Sequence, residues 1–180
     1  MKKTILVFGL ISGSVSALMM IATVPFVDKI GFDKGLIVGY TSIVLSFLLV
    51  YFGIRSHRDN VGNGQITFAK AFALGISITV ISCLFYVATW EVIYYNFLPG
   101  FWDKYAANMV ERLKASGASP ATIQAQLQEV KTYKDSPFLS AAMTFLEPFP
   151  VGLLITLISA AILKRKPQTQ AAKSSLQVAS

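Results

Sequence analysis

Four long stretches of the chain contain almost no charged residue, and short polar segments separate them. They cover about residues 4–27, 35–54, 71–90 and 137–163, and only the fourth contains a charge, at Glu147. A helix rises about 1.5 Å per residue and the hydrocarbon core of a bilayer is about 30 Å thick, so roughly 20 apolar residues span it. Backbone groups in lipid must bond within their own segment. The pattern therefore predicts an all-α integral membrane protein with a four-transmembrane-helix bundle.

The first stretch has two interpretations. Lys2 and Lys3 precede an apolar run that reaches the small residues Val15-Ser16-Ala17, a pattern typical of a signal peptide with its cleavage site. The apolar run nevertheless continues without a charge to Val27, which gives it full spanning length. The length favours a retained transmembrane helix. Cleavage after Ala17 would remove one span without inverting the others.

The polar segment between the third and fourth stretches predicts two short amphipathic helices, over about residues 101–134. Gly117, Ser119 and Pro120 interrupt its pattern with residues that suit a helix end, an N-cap and a first helical position. Apolar side chains recur at helical spacing on either side, at Trp102, Tyr105, Met109 and Leu113, and then at Ile123, Leu127 and Val130. We expect an extracytoplasmic amphipathic helical hairpin, either a structural cap of the bundle or a cover that binds a partner.

Charge adds an orientation to this picture. The chain has 16 Lys and Arg against 9 Asp and Glu, and its net charge is +7. With a cytoplasmic N-terminus, nine of the basic residues and a single acidic one, Asp59, lie in cytoplasmic segments. This bias follows the positive-inside rule, so it indicates topology rather than nucleic-acid binding. We expect a multi-pass membrane protein with both termini cytoplasmic. Residues 167–180 are predicted to form a polar, disordered tail.

The segment between the second and third stretches contains candidate contacts for anionic lipid or phosphate. These are Arg55, His57, Arg58 and Lys70. The segment also contains turn-forming residues that tolerate positive φ, at Asn60, Gly62, Asn63 and Gly64. It does not match a phosphate-binding glycine loop, since no Gly-Lys-Ser/Thr closes it. The alternative is a basic anchor at the membrane surface with a tight turn.

Two carboxylates lie close to the same predicted depth in the membrane. Glu147 lies 17 residues before Lys164, and Glu91, just after the third stretch, lies 21 residues beyond Lys70. Ionisable groups at membrane depth are functional candidates by default, so the pair predicts a proton or cation site. The alternative is that both are hydrated at headgroup level and mark the ends of their helices. Pro148 and Pro150 loosen the backbone beside Glu147 and free carbonyl groups.

Glycines at a spacing of four predict close helix contacts. Gly9 and Gly13 lie in the first stretch, and Gly35 and Gly39 lie at the start of the second. Such small-residue stripes let helix backbones approach closely in a membrane. We expect them to pack the helices within the bundle, with homodimerisation as the alternative.

Candidate chemistry is sparse. The chain has one histidine and one cysteine, His57 and Cys83, so it offers no Cys/His cluster for a metal and no nucleophile–base pair. We therefore expect no enzymatic activity, no metal site and no cofactor.

Several segments of the chain resemble a bacterial membrane-protein family catalogued as domain of unknown function 4199. The resemblance rests on residues 53–60, with the sequence GIRSHRDN, and on residues 64–72, with the sequence GQITFAKAF. It also rests on YVATWE at 86–91 and on FPVG at 149–152 before a basic stop, and it covers roughly residues 2–166. It implies a four-helix inner-membrane protein without an assigned activity, and it supplies no catalytic residues.

Two functions fit these features. The first is a non-enzymatic accessory or scaffold protein that acts through helix contacts and the outside hairpin. The second is a small transporter or channel subunit with a proton or cation site at Glu91 and Glu147. The expected partners are the lipid bilayer, a protein bound by the hairpin and a second copy of the chain, with no nucleic acid.

Overall fold

The structure is a computed structural model that describes residues 1–26 and 31–165, without the side chains of residues 25, 32 and 33. The predicted disordered tail, 167–180, lies outside the described residues, as do residues 27–30 between the first two spans. A short 3-10 turn, Val24–Phe26, follows the first helix. The helices of the described part are α1 (Lys2–Thr23), α2 (Phe32–Asn60), α3 (Phe68–Phe97), α4 (Phe101–Ala115), α5 (Pro120–Asp135), α6 (Pro137–Leu146) and α7 (Phe149–Leu163).

Four helical segments are long and apolar enough to cross a membrane, which confirms the predicted all-helical class and the number of spans. They are Lys2–Thr23, Lys34–Asn60, Phe68–Phe97 and Pro137–Leu163. α2 continues past the apolar stretch to Asn60, where Arg55 and Asp59 form an i,i+4 ion pair with an N–O distance of 3.6 Å. α3 begins after Thr67, whose hydroxyl accepts a hydrogen bond from the backbone N–H of Lys70.

The fourth span consists of two helices, α6 and α7, with a break at Glu147 and Pro148. Proline has no backbone N–H, so Pro148 and Pro150 cannot donate the helical hydrogen bonds to the carbonyls four residues earlier. The loosened backbone predicted from these prolines is therefore a break between two helices. The break brings the Glu147 side chain to the end of α6.

The bundle core is tightly packed in the half that lies toward Met1, and we call this half the inner half. Val50, Ile54, Leu74 and Ile78 have no exposed surface there. Gly152 lets α7 approach α3, because a Cβ atom at this position would lie 2.4 Å from Cγ2 of Thr79. Such contacts leave no room for water between the helices.

Hydroxyl groups connect the helices inside the bundle. The Ser46 hydroxyl of α2 donates to the carbonyl of Ser12 at 2.7 Å, and the Ser12 hydroxyl donates to the carbonyl of Ser46 at 3.0 Å. The Ser16 hydroxyl donates to the Ser46 hydroxyl at 2.6 Å. On the other side of the core, the hydroxyls of Thr79 and Thr156 lie 3.1 Å apart and link α3 to α7. These hydrogen bonds give the buried hydroxyl groups the partners that water would otherwise supply.

The end of the bundle that contains Met1 is rich in basic residues, and we call it the basic end. Its described basic residues are Lys2, Lys3, Arg55, Arg58, Lys70, Lys164 and Arg165. Two backbone hydrogen bonds between Ile66 and Arg165, of 2.9 and 3.2 Å, connect the α2–α3 loop to the segment after α7. Thr4 Oγ1 lies 3.4 Å from Nδ1 of His57, which places the start of α1 at the same end. Asn63 and Gly64 have the positive φ angles expected from the sequence, 49° and 77°.

α4 and α5 form a pair joined by a tight link, with the caps that the sequence predicts. Gly117 follows the C-cap Ser116 with φ of 74°, and the N–H groups of Gly117 and Ala118 return to carbonyls of α4. Ser119 caps α5 by accepting from the N–H of Thr122 at 3.1 Å, and Pro120 follows it. Lys134 Nζ lies 2.6 Å from Oδ1 of Asp103, which ties the end of α5 to the start of α4.

Candidate ligand-binding cavity

A cavity of about 600 Å³ lies at the end of the bundle away from the basic end. Its wall includes residues of every described α-helix except α7, together with Val24 of the 3-10 turn and Glu147 at the α6–α7 break. The four spanning segments surround it, and α4 and α5 cover it. Its volume falls in the range of about 300–1,000 Å³ that is usual for small-molecule sites.

Aromatic rings make up much of the cavity wall. Trp90 of α3 contacts Phe101 of α4 edge to face, with ring centroids 4.8 Å apart. Trp102 of α4 lies 6.3 Å from the ring centroid of Tyr133 of α5, so ring contacts connect three helices around the cavity. The aromatic residues that line the cavity are Tyr40, Tyr86, Trp90, Phe101, Trp102, Tyr105 and Tyr133.

Two carboxylates belong to the wall. Glu147 is exposed, and its Oε2 accepts a hydrogen bond from the hydroxyl of Tyr86 with an O–O distance of 3.4 Å. Glu129 of α5 accepts from the hydroxyl of Tyr133 at 2.8 Å. This bond raises the pKa of the Tyr133 hydroxyl, because the neutral phenol is the donor. Each carboxylate is therefore held beside an aromatic ring.

The described wall contains two carboxyl groups and no basic side chain. No Lys or Arg is among the described residues that line the cavity. The nearby Lys134 belongs to the ion pair with Asp103, and this hydrogen bond raises the pKa of the Lys134 ammonium. Lys134 therefore neutralises Asp103 rather than Glu129 or Glu147.

Glu91, the second predicted carboxylate, does not belong to the described wall of the cavity. Its carboxylate faces Ser140 of α6. Both Glu91 Oε1 and Ser140 Oγ are buried, and neither makes a hydrogen bond within the described part of the chain. The structure thus brings Glu147 into the cavity and leaves Glu91 at a separate helix contact.

The four predicted packing glycines divide into two pairs. A Cβ atom at Gly9 would lie 2.8 Å from Ile81, and one at Gly13 would lie 2.6 Å from Phe85, so this pair packs α1 against α3. A Cβ atom at Gly35 or Gly39 would meet nothing within 4 Å. Gly35 and Gly39 instead line the cavity.

The candidate anionic-lipid contacts lie at the basic end, far from the cavity. Arg58 makes two hydrogen bonds to Asp59, of 2.7 and 3.2 Å, and Arg55 lies 3.6 Å from the same carboxylate. His57 contacts Thr4, and Lys70 is exposed in the first turn of α3. Asp59 therefore pairs with both arginines, and an anion would compete with the Asp59 carboxylate for their N–H groups.

Fully buried residues close the inner half of the bundle between the cavity and the basic end. Phe47, Thr79 and Thr156 expose 2% or less of their surface. Among the residues described, no group of three His, Cys, Asp or Glu side chains could hold a metal ion. The arrangement can hold a ligand at one end of the bundle, and these buried side chains lie between the cavity and the basic end.

A comparison with protein families bears on this arrangement. The model of the family described as a protein of unknown function, DUF4199, matches residues 7–165. The chain belongs to this family. The match confirms the resemblance seen in the sequence, and it covers α1 to α7 almost completely. Comparisons with curated proteins and with solved structures give no match.

For the DUF4199 chain, sequence patterns identified some of the cavity and missed the rest. Glu147 and the apolar face of α4 were predicted from their positions. Glu129 and Tyr40 were not, since a single glutamate on a polar helix and a single tyrosine in a span carry no distinct signal. Gly35 and Gly39 were recognised, but as helix-packing residues.

Proposed function

We propose that this chain is a multi-pass protein of the bacterial cytoplasmic membrane, with both termini in the cytoplasm and an up-and-down bundle of four spans. The outward faces of the spans support this, since Leu18, Ile37 and Leu154 each expose more than half of their surface. The basic end would face the cytoplasm, in keeping with the positive-inside rule. The α4–α5 pair would then be an extracytoplasmic helical hairpin.

The proposed role is that of a non-enzymatic accessory protein which binds a small molecule from the outer side of the membrane. The cavity beneath α4 and α5 is the observation that carries this proposal. A concave, largely apolar site with a few polar groups is the usual form of a ligand pocket. The hairpin would act as the cover of this pocket rather than as a structural cap alone.

The alternative role, a transporter or channel subunit with a site at Glu91 and Glu147, has less support. Such a subunit would need both carboxylates along one path. Only Glu147 lines the cavity. The fully buried Val50 and Ile78 lie in the half of the bundle that an ion would have to cross. We therefore propose binding at one face and no conduction.

A protein partner remains a second proposal for the hairpin. α4 buries none of its residues and α5 buries only Val130, so most of the surface of this pair is available to another protein. A second copy of the chain is one such partner. Light scattering of the purified protein in detergent would then give the mass of a dimer.

Cysteine labelling tests the orientation. In a Cys83→Ser background, Lys131→Cys should react with a membrane-impermeant maleimide in intact spheroplasts, because Lys131 is exposed on α5. Val61→Cys, 61% exposed at the basic end, should react only after permeabilisation. The opposite labelling pattern would show that the bundle is inverted and would overturn the proposed binding side.

A flux assay separates binding from conduction. Liposomes that contain the purified protein should show proton and potassium permeability equal to that of empty liposomes, because buried side chains close the inner half of the bundle. A flux that disappears in Glu147→Gln would contradict the accessory role and favour the transporter. Gly13→Val liposomes control for leaks from misfolded protein, since this change disrupts the contact of α1 with α3.

A further inference from the structure

We infer that the cavity binds an organic cation with a bulky apolar body, such as a quaternary phosphonium or ammonium ion, with Glu147 as its counter-charge. This inference rests on the proposed binding role and names the chemical class of the ligand. Three features of the wall carry it: its charge, its rings and its size.

The charge of the described wall selects against anions. Glu129 and Glu147 line the cavity, and no described lysine or arginine does. A fatty acid or an anionic phospholipid would place its charge near two carboxylates, and like charges repel. A cation would instead gain attraction from the same groups. A neutral molecule could donate hydrogen bonds to the carboxylates but would gain no charge attraction from them.

The aromatic rings add attraction for a cation in the same place. The face of an aromatic ring is electronegative, so a cation within about 6 Å of its centroid is attracted to it, most strongly by tryptophan. Tyr86 is hydrogen-bonded to Glu147, which places a ring and a carboxylate side by side. Trp90, Trp102 and Tyr133 also line the cavity. A cation that is surrounded by apolar groups fits this wall better than a small hydrated ion does.

The size and access of the cavity fit such a ligand. About 600 Å³ accommodates an ion with several aromatic or alkyl substituents and greatly exceeds the volume of a bare metal ion. The ligand would enter beneath α4 and α5, of which only Val130 is buried. Entry therefore does not require the four spans to separate.

The chain contains its own reporter for this site. It has two tryptophans, Trp90 and Trp102, and both line the cavity. Saturable quenching of their fluorescence by tetraphenylphosphonium, in full-length protein in a zwitterionic detergent, would measure occupation of the cavity directly. Tetraphenylborate has nearly the same shape and the opposite charge, so it is the matched control ligand. Equilibrium dialysis of both ions confirms the binding that the quenching reports.

Three variants test the residues. Glu147→Gln removes the charge at nearly constant shape and should weaken binding of the phosphonium about tenfold or more. Glu91→Gln is the matched control, since Glu91 lies outside the described wall, and it should change binding less than about twofold. Gly39→Leu fills open space in the cavity and should reduce binding of any ligand there. Thermal melting shows whether each variant is folded, and Glu147→Asp should restore part of the binding if Glu147→Gln is unstable.

The outcomes separate the two proposals. Saturable binding of the phosphonium and not of the borate, lost in Glu147→Gln, supports both. Equal binding of the two ions, lost in Gly39→Leu, retains the binding site and overturns the preference for cations. Binding of neither ion overturns both proposals. An equal loss in Glu91→Gln and Glu147→Gln would contradict the assignment of the counter-charge to Glu147.

Discussion

Gly152→Ala should destabilise the bundle by about 1–3 kcal/mol, because the interior has no room for the added methyl group. A Cβ atom at Gly152 would lie 2.4 Å from Cγ2 of Thr79 and 2.9 Å from Cζ of Phe47. Thr79 cannot rotate away freely, since its hydroxyl is bonded to that of Thr156 at 3.1 Å. Phe47 is 2% exposed and is enclosed by other side chains. Either α7 shifts away from α3 or the hydroxyl pair breaks.

The measurement is reversible unfolding in mixed micelles of mild and denaturing detergent. Gly39→Ala is the matched control, because it introduces the same methyl group in a helix where nothing lies within 4 Å. This control should be neutral or should stabilise the protein by about 0.5–1 kcal/mol, as alanine favours the helix over glycine. The two substitutions should therefore change the free energy of unfolding in opposite directions. Equal effects would show that α7 does not approach α3 as described.

Ser46→Ala should lower the free energy of unfolding by about 1–2 kcal/mol, because the Ser46 hydroxyl of α2 forms hydrogen bonds to α1. The Ser46 hydroxyl donates to the carbonyl of Ser12 and accepts from the hydroxyl of Ser16. Removing it leaves the Ser16 hydroxyl without this acceptor at a site that is 7% exposed. Ser16 is nearly buried and borders the cavity only at one edge, so the loss should exceed that of a serine at the lipid surface.

Ser77→Ala is the control for this substitution. Within the described part of the chain, the Ser77 hydroxyl bonds to the carbonyl of Ala73, four residues earlier in its own helix. Its removal should change the free energy of unfolding by less than about 0.5 kcal/mol, since the carbonyl keeps its helical hydrogen bond. A double-mutant cycle of Ser46 and Ser16 would isolate the energy of their contact. Additive effects in that cycle would show that the two hydroxyls do not interact.

The spans and the helix ends could be predicted because their causes are local. A run of apolar residues of sufficient length specifies a membrane helix wherever it lies in the chain. The caps at Gly117 and Ser119 depend on the conformational range of one residue and on one side-chain hydroxyl. The break in the fourth span follows from the missing N–H groups of Pro148 and Pro150.

The cavity could not be predicted because it depends on the rotation of each helix about its axis. Counting residues places Glu91 and Glu147 at similar depths, and similar depth alone predicts a shared site. Tyr86 and Glu91 are five residues apart, which is about 140° around a helix. Tyr86 can therefore contact Glu147 while Glu91 faces Ser140.

The same limit applies to the glycines and the aromatic residues. Gly9 and Gly35 belong to stripes of equal spacing, but the first faces another helix and the second faces open space. The aromatic residues near the end of α3 have the composition of a membrane-interface belt. Phe97, 71% exposed, fits a belt, whereas Trp90 lines the cavity. Only the neighbouring helix distinguishes these roles.

The uneven burial of the helices gives the protein two levels of local stability. Residues such as Ile54 and Leu74 have no exposed surface, so their amide protons should exchange with solvent only when the whole bundle unfolds. α4 buries no residue, so its amides should exchange through small openings that leave the spans intact. A molecule that fills the cavity would slow exchange in α4 and α5 and leave the inner half unchanged. The exchange pattern would thus record occupancy of the site in the membrane, without any label on the ligand.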